Sequence, residues 1–321
     1  MSVVHSADTN EGAVSFAHQA LLYGSKDEFL AGTLPLVRDG LQCGDPVRIA
    51  TTERNIGWLR AELGEQARYV AFCDNSEWYA NPARALAALH RIVQLEISGG
   101  HRLRMIQESL WTARAGQDSR EWFREESLVN VALASANATL MCTYDTHVVG
   151  LGVLANVART HPQMVLDGGP RASPTYTDPG VFNAECNRSP LPELPPPTLW
   201  LRFRQLDQLA TLRAFVTSYA TQAGATAGSV SQFVQAVDEV ATNAIEHGGG
   251  SAVLQVWTGL HTLVCEVSDT GAGLRDPLAG QLPPERFAGG HGLWLARQFS
   301  DLVELHSAPT GTIVRLHLTL S

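Results

Sequence analysis

The stretch Gln235-Ala-Val-Asp-Glu-Val-Ala-Thr-Asn-Ala-Ile-Glu-His-Gly248 organises the C-terminal part of this sequence. Its apolar residues recur at helical spacing, which predicts an amphipathic helix with one buried face. Glu239, Asn243 and Glu246 fall together on a different face, because residues three or four positions apart stack along a helix. A carboxylate and a carboxamide one turn apart can hold a hydrated metal ion while the carboxylate polarises a hydroxyl. A solvated polar face is the alternative interpretation.

Two glycine-marked turns follow this helix. The first is Asp269-Thr-Gly271-Ala-Gly273, which comes directly after the strand-like run Thr262–Ser268. The second is Gly290-His-Gly292-Leu293, which opens an apolar helix running to about Ser300. Each turn alone is a weak signal, but a polar helix and two such turns in this order form a specific pattern.

The three boxes read E-x-x-x-N, D-x-G-x-G and G-x-G-L, and in this order they resemble the ATPase superfamily of gyrase, heat-shock-90 chaperones, histidine kinases and MutL. The resemblance covers about residues 199–321. It implies an α/β sandwich of the Bergerat type that binds ATP and Mg²⁺. The positions that match the family's cofactor-binding residues are Asn243, Asp269, Gly271, Gly273, Gly290, Gly292 and Thr312.

Residue by residue, the resemblance makes Asn243 the Mg²⁺ ligand, Glu239 the general base and Asp269 the acceptor for the adenine amine. Gly271 and Gly273 would let the backbone approach the base without a Cβ in the way. Gly290 and Gly292 would precede a helix N-terminus, where free N–H groups favour phosphate. Thr312 matches a position near adenine, although a plain β-branched strand residue is an equal alternative. Glu246 and His247 are expected at the rim of the site, and the irregular stretch 274–288 is expected to be a lid over the triphosphate.

Length, composition and net charge limit the class of protein that this sequence can form. With 321 residues, 45% hydrophobic and 17% charged, the chain can form two globular domains. A formal net charge of −9 argues against a nucleic-acid partner, which favours a basic surface. Residues 1–12 lack the features of a signal peptide, and no run of about 18 apolar residues indicates a membrane span. The five scattered cysteines are interpreted as reduced core thiols without metal-ligand spacing, so a cytoplasmic protein is expected.

Residues 14–167 alternate strand and helix signals, which predicts a mostly parallel sheet covered by helices, in a domain predicted over 14–186. No phosphate-binding loop of the G-x-x-x-x-G-K-[ST] or G-x-G-x-x-G kind follows the first strand, so this half carries no sequence evidence for ATP. The segments His18–Tyr23, Gly40–Val47, Glu108–Trp111 and Cys142–Asp145 resemble a sensory domain named for methanogens and methylotrophs, a degenerate relative of RecA-like ATPases. The resemblance implies a signal-receiving role with a small-molecule ligand that it does not name.

Candidates for a sensing pocket in this half are mostly polar or aromatic residues, several of them at strand ends, where open α/β sheets bind ligands. They are His18, Tyr23, Glu108, Trp111, Tyr144 and Asp145. Each has an ordinary structural alternative, since an aromatic residue after a strand is usually core and an aspartate there is usually a turn or cap.

A proline-rich stretch, residues 187–198, separates the two halves and predicts a semi-extended linker. The second domain is therefore predicted over 199–321. Its first helix, Leu206–Gln222, has an apolar stripe that is either core or the surface of a homodimer.

The compact ATPase part with Asp238-Glu239 and Asn243 at its centre looks most like the anti-sigma-factor serine kinases. That resemblance implies a regulator of transcription that binds a sigma factor or its anti-anti-sigma antagonist and phosphorylates a serine. In such a reaction Mg²⁺ neutralises the phosphates and Glu239 accepts the hydroxyl proton. Two alternatives stay open: a protein-binding module that binds ATP without phosphoryl transfer, and an orphan histidine kinase.

Overall fold

The computed structural model describes residues 16–74, 82–97, 100–108, 120–195, 198–281 and 291–320. Two sheets form the frame of these residues, one of seven strands and one of five strands. Each sheet has its own hydrophobic core and its own helices. The predicted fold class is confirmed: a parallel-sheet N-terminal domain is followed by an α/β sandwich with an antiparallel sheet.

The N-terminal domain alternates strands and helices as the sequence predicts. Its elements are β1 (Ala17–Tyr23), α1 (Lys26–Cys43), β2 (Val47–Thr51), α2 (Glu53–Leu63), β3 (Val70–Asp74), α3 (Pro82–Glu96), β4 (Leu103–Glu108), α4 (Arg120–Ala132), β5 (Ala138–Asp145), α5 (Leu151–Thr160), β6 (Gln163–Leu166), β7 (Gly169–Ala172) and α6 (Pro179–Arg188). Local signals set several boundaries; for example, the Ser25 hydroxyl caps α1 by accepting from the Glu28 N–H at 3.2 Å.

The strand order is β3-β2-β4-β5-β1-β6-β7, and every pair is parallel except the β6–β7 hairpin at the edge. The strands β1 and β5 lie side by side in the middle, with helices on both faces. The carboxyl ends of β1, β2, β4 and β5 therefore meet at one edge of the sheet. The sequence does not predict the β6–β7 hairpin or α6.

The C-terminal domain consists of β8 (Leu199–Phe203), α7 (Leu209–Gln222), α8 (Ala227–Glu246), β9 (Ala252–Thr258), β10 (Thr262–Asp269), α9 (His291–Phe299), β11 (Leu302–Ala308) and β12 (Gly311–Thr319). The strand order is β11-β12-β10-β9-β8, with antiparallel pairing throughout. Residues of all three helices pack on one face of the sheet, and the buried stripe of α8 lies at the centre of this core. Burying such a stripe is the main source of stability for a helix of this kind.

The two domains contact each other through α4 and α6, which pack against β11. The helix α6 continues to Arg188, inside the stretch predicted as linker. The next residues lie against the sheet of the second domain: the Arg315 guanidinium donates to the Pro192 carbonyl at 2.9 Å, and a ring nitrogen of His306 lies 3.0 Å from the Ser189 carbonyl oxygen. At Ser189 and Pro192 the proline-rich stretch therefore packs against the sheet of the second domain.

All five cysteines are free, as predicted, but only Cys142, Cys186 and Cys265 are buried. Cys43 is exposed at the end of α1 and Cys73 is half-buried, so the interpretation of all five as core thiols is wrong for these two. Among the described helices, none combines the length and the apolar character needed to cross a membrane.

Candidate functional site

A cavity of about 540 Å³ opens between α8, the end of β10 and the start of β12. Its size is in the range of pockets that hold small molecules and cofactors. Apolar side chains supply much of its wall, and a few polar groups converge on it. The lining residues are Val240, Asn243, Ala244, His247, Gly248, Val267, Asp269, Gly273, Leu274, Asp276, Leu278, Ala279, Gly280, Leu293, Thr312 and Val314.

Glu239 and Asn243 lie one turn apart on α8, both half-buried. No hydrogen bond or ion pair ties either side chain to another described residue. The two side chains flank Gly292 in the first turn of α9: a Cβ there would lie 2.9 Å from the Asn243 Nδ2 and 2.9 Å from the Glu239 Oε2. Gly292 therefore allows α9 to approach both polar groups closely. This pair of unengaged oxygen-bearing groups has the chemistry of a Mg²⁺ site.

Asp269 ends β10, directly opposite the start of β12. Its Oδ1 accepts from the Gly271 N–H at 2.9 Å and from the Thr312 N–H at 3.1 Å. These two backbone donors fix the carboxylate, while no described residue donates to its Oδ2. A fixed carboxylate with one free oxygen at the cavity wall can accept from an amine of a bound base. Thr312 contributes here through its backbone N–H.

The glycines at the end of α8 and in the turn after β10 allow backbone segments to approach each other closely. A Cβ on Gly271 would lie 2.8 Å from the Gly248 Cα, and a Cβ on Gly248 would lie 2.6 Å from the Asp269 Cβ. Gly271 thus lets the turn pack closely on the end of α8. Gly273 lines the cavity with φ at +74°, a left-handed conformation that glycine adopts without cost.

The start of the predicted lid forms part of the cavity wall. Leu278, Ala279 and Gly280 line the cavity, and Gly280 packs against Leu293 of α9. Gly290 and the rest of the lid lie outside the described residues. Described α9 begins at His291, which is exposed, so Gly292 lies inside the first helical turn and does not precede it. Of the residues expected at the rim, His247 lines the cavity and Glu246 is exposed.

The candidates in the N-terminal domain separate into two groups. Tyr23 and Glu108 meet at the carboxyl edge of the sheet, where the Tyr23 hydroxyl donates to Glu108 at 2.7 Å. Asn55 donates to the other Glu108 oxygen at 2.8 Å, and the Thr51 hydroxyl also donates to it. Burial and the adjacent carboxylate raise the pKa of Tyr23. Glu108 is therefore held by three donors at the edge where open α/β sheets bind ligands.

Asp145 lies at the same edge and accepts from Arg54 at 3.0 Å. His18 and Tyr144 lie elsewhere, on the face of the sheet that α4 and α5 cover, where the Tyr144 ring meets the His161 ring edge-on. Trp111 lies outside the described residues. The sequence analysis missed Thr51, Asn55 and Arg54, although each lies at or just after the end of β2, a position that could have singled them out.

Two family models match the chain. Residues 17–162 match the MEDS family, described as the methanogen/methylotroph, DcmR sensory domain, and residues 204–318 match the histidine kinase-like ATPase domain. The chain carries a MEDS domain followed by a histidine kinase-like ATPase domain. Both resemblances predicted from the sequence are confirmed.

Two solved structures illustrate what the chain is similar to. The RsbU and RsbW domains of Rv1364c from Mycobacterium tuberculosis share 21% identity over 39% of this chain, with a TM-score of 0.29, and this chain spans only 32% of that one. The nucleotide-free catalytic domain of the histidine kinase ThkA shares 11% identity over 38% of this chain and 95% of its own length, with a TM-score of 0.27. No curated protein matches the chain.

The MEDS domain contacts the ATPase domain at α9, one of whose residues, Leu293, lines the cavity. Glu121 on α4 accepts from Arg297 on α9 at 3.1 Å and from Arg124 at 3.1 Å, and all three residues are buried. Burial lowers the pKa of Arg297. Asn187 at the end of α6 donates to the carbonyl of Pro277, at the start of the lid, at 3.4 Å. The sequence held no signal for this contact, since its members come from distant elements.

Proposed function

We propose that this chain is a regulator whose ATPase domain binds ATP with Mg²⁺ and transfers the γ-phosphoryl group to a serine of a partner protein. The observation that supports it most is the pair Glu239 and Asn243, one turn apart on α8 and hydrogen-bonded to no other described residue, with Asn243 in the cavity wall. The resemblance of this helix to that of the anti-sigma-factor serine kinases favours a sigma factor or its antagonist as the partner. We propose that the protein acts in the cytoplasm.

The proposed reaction uses each group in a distinct way. Asn243 would hold Mg²⁺, which neutralises phosphate charge when bound. The free oxygen of Asp269 would accept from the adenine amine. Glu239 would accept the serine hydroxyl proton as the bond from serine oxygen to phosphorus forms and the bond to ADP breaks. The MEDS domain would act on this site through the contact of Glu121 with Arg297 and that of Asn187 with Pro277.

Replacing Glu239 by glutamine should leave ATP affinity nearly unchanged and reduce phosphoryl transfer by about 100-fold or more, since a positioned general base contributes on that order. The measurement incubates the full chain with labelled ATP and an arrayed library of peptides that contain serine or histidine. Glu246→Gln is the matched control, because Glu246 is exposed at the end of the same helix. Undiminished transfer by Glu239→Gln would remove this residue as the base.

The same assay separates the alternatives. Acid-stable phosphate on serine supports the serine kinase. Acid-labile phosphate, on histidine, would contradict it and support the histidine kinase. ATP binding without any transfer would support the protein-binding module.

Replacing Asp269 by asparagine should weaken ATP binding by about 10- to 100-fold, because a hydrogen bond to a charged group contributes about 1.5–3 kcal/mol. The asparagine amide would face the adenine amine with a donor, while guanine offers an acceptor at that position. The preference for ATP over GTP should therefore shrink, as competitive binding of the two nucleotides would show. Asp207→Asn, at an exposed position, serves as control. Equal binding of ATP and GTP by the unchanged protein would contradict the role of Asp269.

A further inference from the structure

Four potential metal ligands meet inside the MEDS domain, away from both the nucleotide cavity and the carboxyl edge of the sheet. They are His18 on β1, Glu126 on α4, Cys142 on β5 and His161 just after α5. All four are buried, and their ligand atoms lie within 4.8 Å of one another. None of these residues takes part in the function proposed for the ATPase domain.

Four of the six distances between the ligand atoms are close to those around one small cation. The His18 Nε2 lies 3.4 Å from the Cys142 Sγ and 3.8 Å from the Glu126 Oε2. The same Glu126 oxygen lies 3.6 Å from the His161 Nε2 and 3.6 Å from the Cys142 Sγ. A tetrahedral zinc ion with ligand bonds of about 2.0–2.3 Å separates its ligand atoms by about 3.3–3.7 Å.

Both imidazoles direct an unprotonated Nε2 into the cluster. The His161 Nδ1 lies 2.9 Å from the Val157 carbonyl oxygen, which can only accept, so Nδ1 carries the proton. The amide nitrogen of Asn130 donates to the carbonyls of Ser127 and Thr160, which leaves its oxygen to accept from the His18 Nδ1 at 3.1 Å. Partners of this kind fix the ring orientation of metal-bound histidines.

A second, independent observation indicates a ligand inside this cluster. The His161 Nε2 is fully buried and has no hydrogen-bond partner among the described residues, although a buried polar atom without one is costly. A divalent cation bound by one thiolate, one carboxylate and two neutral imidazoles forms a complex without net charge, which suits a buried position.

We propose that His18, Glu126, Cys142 and His161 bind one divalent transition-metal ion of the zinc class in tetrahedral geometry. A thiolate with two imidazoles favours zinc and its neighbours over Mg²⁺ and Ca²⁺, which prefer oxygen ligands. Each ligand donates a lone pair to the metal, and the Cys142 thiol releases its proton to solvent. Four protein ligands leave no open position, so the ion serves the structure or the signalling of the MEDS domain.

The test uses the purified full chain, stripped with a chelator and titrated with Co²⁺, which reports coordination by its absorption. We expect one equivalent to bind, with a thiolate-to-cobalt charge-transfer band and the intense visible bands of four-coordinate cobalt. Zn²⁺ should displace the cobalt and raise the Tm. Cys142→Ser should abolish the charge-transfer band, whereas Cys186→Ser, at a buried cysteine outside the cluster, should retain it.

A further variant addresses the orientation of the ligands. Asn130→Ala should weaken metal binding by about 10- to 100-fold while keeping the band, because Asn130 orients His18 without touching the ion. Cobalt uptake by the unchanged protein without a charge-transfer band would overturn the proposal, and this readout does not depend on the folding of any variant. Absence of uptake, or an unchanged band in a folded Cys142→Ser protein, would overturn it too.

Discussion

Replacing Asn243 by alanine should remove the magnesium dependence of ATP binding and lower the affinity in the presence of Mg²⁺ by about 100-fold. The expected loss follows from the position of Asn243, whose carboxamide lines the cavity and is engaged by no other described residue. A contact of this kind to a charged group contributes about 3 kcal/mol, which corresponds to about 100-fold in affinity. Calorimetric titration with ATP, with and without Mg²⁺, measures both quantities.

Thr242→Ala is the matched control for this variant. Thr242 neighbours Asn243 on α8, but its hydroxyl donates to the Asp238 carbonyl within the helix and does not line the cavity. Its removal should leave ATP affinity within about threefold, as for an ordinary exposed or half-buried substitution. If Asn243→Ala binds ATP as tightly and as dependently on Mg²⁺ as the unchanged protein, the metal ligand lies elsewhere.

Replacing Glu121 by glutamine should destabilise the protein by about 3–5 kcal/mol, the usual cost of breaking a buried ion pair by removing one partner. The cost is large here because Glu121 is shared by Arg124 and Arg297, both 6% exposed or less. Without the carboxylate, two buried guanidinium groups would remain side by side. Urea denaturation followed by tryptophan fluorescence measures the free energy of unfolding.

Glu65→Gln controls for the loss of a negative charge, since Glu65 is exposed and such substitutions usually change stability by less than about 0.5 kcal/mol. A double variant, Glu121→Gln with Arg297→Met, should cost less than the two single variants added together, because it removes both partners of one pair. Additive effects, or a stable Glu121→Gln protein, would mean that the two domains do not depend on this contact.

The sequence predicted the ATPase domain well because its signals are local. The helical period around Glu239 and Asn243 and the glycines after Asp269 define elements within a few residues. The strand-like run Thr262–Ser268 is found as β10, which extends one residue further to Asp269. Asn243, Asp269 and Leu293, one from each of the three boxes, line the same cavity. This convergence was predicted by the family resemblance, and the family model matches.

The parts that the sequence did not predict depend on contacts between distant segments. The hairpin β6–β7 has two strands of four residues each, too short for an alternating pattern to show. Cys142 was interpreted as a core thiol without metal-ligand spacing, because its neighbours His18, Glu126 and His161 come from three other elements. Only the pairing of β1 with β5 and the packing of α4 over them bring these groups together.

The central claim, that the cavity between α8, β10 and β12 binds ATP with Mg²⁺, is tested most directly by calorimetric titration of the full chain with ATP. The account predicts one ATP per chain, tighter binding with Mg²⁺ than with a chelator present, and much weaker binding of GTP. Absence of binding at millimolar ATP would contradict it. Equal affinity with and without Mg²⁺, together with equal affinity for ATP and GTP, would contradict it as well. Neither Asn243 nor Asp269 would then contact the nucleotide.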